Sequence, residues 1–287
     1  MELQRDIALF CHSHDQFDVA SRLMLSSGMQ KAAGFHKAPI FCDSAVIPKE
    51  PWHPVTSEQF KDCFDSNSST GLSPWISIIQ IPLPILELFR PLREISELHK
   101  SADFINELIY NDPSYEIGLE AATEFCARFN KEGECLKKGT GIRANRPQLI
   151  TVTENKERSC LIGLHLDSWF RAPLSERHLS PNRFCFNLGS EDRYLLFINL
   201  SLQQIAACIQ SAQSVGCPAP QFETDLLIPF LYLFPSYPVT CLKVKPGEAY
   251  IAPTENMFHD GSTIGRSTAD VQLTVLGNFE ARMVLSI

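Results

Sequence analysis

The chain has 287 residues, 44% of them hydrophobic and 20% charged, a balance that fits a globular protein with a large core and excludes a disordered, collagen-like or coiled-coil chain. With 25 basic against 33 acidic residues the formal net charge is −8, which argues against nucleic acid or an anionic membrane surface as the main partner. Length alone admits either two domains or one elaborated domain.

The opening residues, MELQRDIALFCHSHD, break every apolar stretch with acids and histidines, so no secretory leader is expected. Cys11-His12-Ser13-His14-Asp15 concentrates metal-ligand residue types, but no downstream His/Asp set matches it, and it reads as a polar turn. Gln16–Gly28 and Ser101–Ile109 carry helical spacing, and Gly118–Asn130 (GLEAATEFCARFN) is the clearest amphipathic helix. Lys49–Ser73, rich in Pro, Ser and Asp, reads as a surface loop. Trp75–Ile81 is an apolar, β-branched run stopped by Pro82 and Pro84, and predicts a strand. No window reaches the ~18 uninterrupted apolar residues of a membrane span; the nearest, Asp225–Pro235, is too short. The 10 cysteines are scattered singly with no CxxC pair, which predicts reduced thiols in a cytoplasmic protein, Cys160 and Cys185 packing as small hydrophobes.

Beyond residue 140 the chain reads as short strands joined by turns. Gln148–Thr153 and Ser159–Leu166 flank a polar turn at 154–157, Asn182–Leu188 and Arg193–Leu200 flank 189–192, and Val239–Val244 and Glu248–Ile251 flank Lys245-Pro246-Gly247. Each pair predicts a hairpin, and Val271–Phe279 a final strand. Helical patterns at Leu202–Val215 and Thr224–Phe234 read as an insertion. The expected fold is mainly β with helices (α+β): a jelly-roll core over 141–287 with a helical insertion at 201–235, and a mostly helical region, 1–140, packed on it as one compact unit.

The most informative segment is Gly163-Leu164-His165-Leu166-Asp167-Ser168-Trp169. Side chains alternate along a strand, so His165 and Asp167 face the same way and can reach one metal ion. His259, within Asn256-Met257-Phe258-His259-Asp260-Gly261, stands between the third strand pair and the final strand. Together the three compose a 2-His-1-carboxylate facial triad, a ligand set that leaves open positions on non-haem Fe(II). Trp169, Phe170 and Arg171 follow the HxD at the mouth, a position from which Trp169 and Arg171 can touch a substrate. Glu255 and Asp260 can orient the distal imidazole, and Tyr194 or Asn199 can donate to a cosubstrate. No GxSxG, Walker loop or Rossmann fingerprint is present.

HLD at 165–167 and VKPGEAYIAPTENMFHDGS at 244–262, followed by a strand, make residues 145–280 resemble the double-stranded β-helix (cupin-like) oxygenases dependent on Fe(II) and 2-oxoglutarate. NRFCFNLG at 182–189 leading to RYLLF at 193–197 adds a partial likeness to the JmjC/asparaginyl-hydroxylase branch. The resemblance implies iron held by His165, Asp167 and His259, with 2-oxoglutarate as cosubstrate. Oxidative decarboxylation by O2 to succinate and CO2 would be coupled to hydroxylation of a C–H bond in an amino acid, peptide or small natural product. Asp167 argues against halogenation, since halogenases of this superfamily carry Gly or Ala there. These enzymes commonly hold the distal carboxylate with a base about ten residues past the second histidine, a neighbourhood that here is Ala269-Asp270-Val271. Arg266 and Arg193 are the substitutes, each suited to a bidentate carboxylate contact. Two other readings use the same residues differently: a metal cupin without 2-oxoglutarate, and a metal-free jelly-roll binding module.

Overall fold

A computed structural model describes residues 2–11, 19–32, 40–64, 74–98, 101–130, 133, 135–212 and 223–280. In chain order the first strands are β1 (Ala8–Cys11), β2 (Leu23–Ser26), β3 (Met29–Lys31), β4 (Phe41–Pro48) and β5 (Trp52–Pro54). Next come α1 (Ser57–Cys63), β6 (Trp75–Gln80), α2 (Leu83–Leu88), α3 (Arg90–Leu98), α4 (Ala102–Asn111) and α5 (Ser114–Ala127). The strands β7 (Leu136–Asn145), β8 (Glu154–Asn155), β9 (Cys160–Gly163), β10 (Asn182–Asn187) and β11 (Arg193–Phe197) lead to α6 (Leu202–Ala212) and α7 (Leu227–Leu233). The last four strands are β12 (Thr240–Val244), β13 (Glu248–Ala252), β14 (His259–Ser262) and β15 (Asp270–Gly277).

These elements form a mixed α and β fold with three sheets. A six-stranded sheet runs β1-β6-β13-β10-β15-β7, a five-stranded sheet β14-β11-β12-β2-β5, and a four-stranded sheet β3-β4-β9-β8; none closes on itself. Alternation along the strands explains how the first two sheets pack. In β10 (NRFCFN), Phe184 and Phe186 face α2–α5 in a core with Phe89, Ile105 and Phe125, while Arg183 and Cys185 face the other way. In β11 (RYLLF), Leu196 packs on α6 and α7, while Leu195 and Phe197 meet Ile76, Ile78 and Tyr250 of the six-stranded sheet. The two sheets therefore lie face to face. Their shared interior is apolar at the β1/β2 end and polar at the β7/β15 end, where Arg143, Gln272, Thr274 and Arg183 line a cavity.

Several elements match the sequence pattern: the β6 strand, helices α4 and α5, the insertion helices α6 and α7 over their described residues, and β15. Others are corrected. Among its described residues the 1–140 region is not mostly helical, because β1 and β6 extend the six-stranded sheet while β2 and β5 extend the five-stranded one. Within Gln16–Gly28 the described part is a short 3-10 turn (Ala20–Arg22) and then β2, where Leu23 and Leu25 are buried and Met24 is exposed; the operative period is two. Lys49–Ser73 contains β5 and α1, whose start is fixed by a capping box between Thr56 and Gln59. The first hairpin exists with its turn two residues later, pairing β8 with β9.

The other two expected hairpins are corners between sheets. β10 pairs with β13 and β15, and β11 with β12 and β14, so residues 189–192 carry the chain from one sheet to the other. Asn187 holds this corner through Glu191 O and Val244 O, and Arg266 donates to Glu191 O (2.6 Å) and Asp192 O (2.9 Å). Residues 245–247 likewise link β12 to β13 across sheets, with Glu248 accepting from Lys245 N–H and from buried Arg22.

The reduced-thiol expectation fails for one pair. Cys42 on β4 and Cys160 on the adjacent β9 form a disulfide, while Cys63, Cys126, Cys135, Cys185, Cys208 and Cys241 are free. Among the described residues no helix is long and apolar enough to cross a membrane.

Candidate metal site

Gly163 ends β9 with φ +73°, and a Cβ there would lie 2.5 Å from Val46 O, so glycine alone fits this close turn. The turn delivers His165 to β14. His165 and His259 exchange both backbone hydrogen bonds as an isolated antiparallel bridge (3.0 and 2.9 Å), which sets their side chains on one face with ring centroids 4.8 Å apart. Asp167 follows two residues later, its N–H bonded to Thr254 O.

The three sequence-predicted ligands thus converge. His165 Nε2 lies 3.8 Å from Asp167 Oδ1, His259 Nε2 lies 3.8 Å from Asp167 Oδ2, and one donor atom of each residue lies within 4.8 Å of the others. Each imidazole places Nδ1 against a backbone carbonyl, His165 on Gly163 O (3.1 Å) and His259 on Met257 O (3.2 Å). An Nδ1–H donated there leaves the Nε2 lone pair facing the carboxylate, the orientation a metal needs. The group could hold a metal ion.

Charge around the site is arranged to keep its donors available. Burial opposes ionisation of Asp167, but Arg183 and the two imidazoles outweigh it and bring its pKa down to about 2. Burial, with help from His165 and Arg183 and against the pull of Asp167, lowers His259 to about 3, so its ring is neutral near pH 7. Burial also raises Asp260, to about 6, against hydrogen bonds from Thr153, Gly261 and Val152. Asp260 faces His165 Nδ1 at 3.8 Å rather than the ring of its neighbour His259.

The triad opens on a cavity of ≈ 370 Å³ whose wall includes Gly139, Gly141, Arg143, Trp169, Arg183, Arg193, Tyr250 and Gln272. Arg193 is fully buried in that wall, bonded to Cys185 Sγ and Gln272 Oε1, 3.7 Å from Asp270, and its Nε has no hydrogen-bond partner among the described residues. Arg193 sits four residues before Phe197, the Cα partner of His259, which places it ~13 Å along the sheet at about 3.3 Å per residue. Arg266 is also buried, its Nη atoms bonded to Glu191 O, Asp192 O and Ala269 O; what separates it from Arg193 is that it does not line the cavity.

Trp169 lines the cavity and is 41% exposed, whereas Arg171 is exposed outside it. Glu255 does not orient His259: it accepts from Trp169 N–H (2.6 Å) and Phe170 N–H and pairs with Arg177 (3.0 Å), pinning the mouth loop. Arg177 also donates to Asp167 O. Tyr194 packs on the helix-covered face of its sheet, and Asn199 bonds Gln4 O and Cys63 O; neither lines the cavity. His12–Asp15 lie outside the described residues. The residue missed from sequence is Arg183, whose Nε and Nη2 both donate to Asp167 Oδ2; strand alternation opposite Phe184 was its one available signal.

No family model matches the chain, and no curated protein matches it. Among solved structures the chain is similar to GlcNAc Inducible Gene 2, GIG2 (DUF1479), from Candida albicans, at 13% identity and a TM-score of 0.39. That similarity covers 71% of this chain and 61% of the other, so the chain spans less than two thirds of the neighbour's length.

Proposed function

We propose that the chain is a non-haem Fe(II)/2-oxoglutarate-dependent oxygenase that hydroxylates a C–H bond of an amino acid, peptide or small natural product. The observation that carries this reading is the meeting of His165, Asp167 and His259 in a cavity whose wall also holds the buried guanidinium of Arg193. Two imidazole nitrogens and one carboxylate suit Fe(II), and a buried arginine whose Nε is unpartnered among the described residues suits a carboxylate.

Strand order supports the fold half of the proposal. Segment 165, bridged to β14, joins β14-β11-β12 on one side, while β7-β15-β10-β13 forms the other. Eight segments shared four and four, with corners at 189–192 and 245–247, fit a double-stranded β-helix.

With iron, 2-oxoglutarate and O2 bound, the site would supply the oxidising chemistry for C–H hydroxylation and release succinate and CO2. His165 and His259 would hold the metal through Nε2, their Nδ1–H groups fixed by Gly163 O and Met257 O. Asp167 would complete the set as a carboxylate kept ionised by Arg183. Arg193 would take the distal carboxylate of 2-oxoglutarate. Arg193 favours this reading over a metal cupin without 2-oxoglutarate.

The test is succinate formation from 2-oxoglutarate with Fe(II) and O2, beside metal content after loading. The expected result is Fe(II)-dependent turnover that His165→Ala and His259→Ala abolish together with metal retention. Full succinate formation by His165→Ala would remove the proposal.

A further inference from the structure

Three guanidinium groups line the cavity, and two already face acids. Arg183 is bonded to Asp167, and Arg193 lies 3.7 Å from Asp270. The third, Arg143 on β7, is half-buried in the wall and makes no hydrogen bond or ion pair among the described residues. Register fixes its direction: Arg143 is the Cα partner of Gln272, so both side chains point into the space between the sheets.

A cation partly withdrawn from water, with no counter-charge beside it among the described residues, is a ready partner for a ligand anion. The acids of the cavity cannot serve. Asp167 carries Arg183, and Asp260 accepts from Thr153 Oγ1 and from the N–H groups of Thr153 and Gly261. Two residues before Arg143 on the same strand face, a Cβ added to Gly141 would meet no atom within 4 Å. The wall beside the unmatched charge is therefore open space, bounded toward the mouth by Trp169.

We propose that Arg143 anchors the substrate and that the substrate carries a carboxylate, paired with this guanidinium while the rest of the molecule fills the space beside Gly141. The inference rests on the oxygenase reading only in assigning Arg193 to 2-oxoglutarate, which leaves Arg143 for the second ligand. A planar guanidinium discriminates a free acid from its amide, because only the acid supplies both the charge and two acceptor oxygens.

The experiment uses protein loaded with Co(II) and saturated with N-oxalylglycine, a 2-oxoglutarate mimic that is not turned over. L-amino acids and simple monocarboxylates are titrated against the corresponding amides by calorimetry. At least one acid is expected to bind about tenfold or more tightly than its amide. Arg143→Gln should erase that preference and leave Co(II) and N-oxalylglycine affinities within about twofold. Gly141→Val should weaken the acid and spare N-oxalylglycine. Acids and amides binding alike, no acid binding, or Arg143→Gln weakening N-oxalylglycine instead would each overturn the inference. If the wild-type protein binds neither Co(II) nor N-oxalylglycine, the oxygenase reading fails, and the acid-against-amide comparison on the metal-free protein still decides the role of Arg143.

Discussion

Arg183 grips a single oxygen of Asp167: Nη2 lies 2.7 Å and Nε 3.1 Å from Oδ2, with both side chains largely withdrawn from solvent. Oδ1 stays on the side of His165. The carboxylate is thus held in orientation and charge by a residue from β10, while β9 and β14 bring the histidines. Three strands, one from each of the three sheets, define one small volume, which is why the arrangement survives only if the sheets keep their relative positions.

Arg183→Met is expected to weaken metal binding by about 10–100-fold, the usual cost of losing a group that orients a ligand. Without the guanidinium, burial becomes the main influence on Asp167 and favours its protonated form. Anaerobic Fe(II) or Co(II) titration checks this, with far-UV circular dichroism as the folding control. Unchanged metal affinity in a folded Arg183→Met protein would show that Asp167 needs no such support.

The corner at 189–192 offers a pH test away from the metal. Burial opposes ionisation of Glu191, but the hydroxyl and N–H groups of Ser267 and Thr268 donate to its carboxylate, and together these hydrogen bonds outweigh burial and lower its pKa to about 2. An unfolded Glu titrates near 4.3. A folded-state pKa below the unfolded one stabilises the protein above ~4.3, and that stability fades as pH falls toward about 2. Glu191→Gln should therefore lower Tm at pH 7, and the difference from wild type should shrink between pH 4.5 and 2, by roughly the span of the two pKa values. Thermal melts across that range decide it; a pH-independent difference would mean the hydrogen bonds act without the charge.

The parts of the site that were legible in the sequence are those where local periodicity carries three-dimensional information. His165 and Asp167 are two residues apart, and strand alternation puts them together. His259 required only the further idea that a later strand lies alongside. Arg183 was hidden because its importance lies in what it touches across a sheet, and NRFCFN shows only that it faces away from Phe184. Turn chemistry was equally ambiguous: a short polar link between two apolar strands serves a hairpin or a corner between sheets, and the deciding contacts, Asn187 to Val244 and Arg266 to Glu191, are long-range. The disulfide pairs Cys42 with Cys160 across 118 residues, beyond any spacing rule. Helical spacing over Gln16–Gly28 lost to the burial of Leu23 and Leu25 between sheets.

Cosubstrate binding can be separated from metal binding at Gly261. A Cβ there would lie 3.2 Å from Arg193 Nη2 and 2.9 Å from Val152 Cγ2, so the side chain of Gly261→Ala pushes on the guanidinium without removing its charge. Arg193→Gln removes the charge outright. Both should weaken N-oxalylglycine, Arg193→Gln by ~10–100-fold, as expected for a lost charge-assisted contact of about 1.5–3 kcal/mol. Co(II) affinity should hold in Gly261→Ala, since His259 and His165 are untouched. If Arg193→Gln folds and binds N-oxalylglycine as wild type does, the distal carboxylate is held elsewhere.

Gly163 tests whether the approach of β9 to β4 sets the metal site. At φ +73° an alanine is strained, and its Cβ would lie 2.5 Å from Val46 O and 2.9 Å from Val46 N, backbone atoms that cannot swing aside. Gly163→Ala should therefore cost about 2 kcal/mol or more, left-handed strain and steric overlap acting together. The effect should extend to function, because Gly163 O is the acceptor that orients His165 and its shift turns the ring away from Asp167. A thermal melt gives the stability loss, and Co(II) titration on the remaining folded protein gives the second. Loss of stability with full metal affinity would confine Gly163 to the sheet junction; loss of both ties the turn to the site.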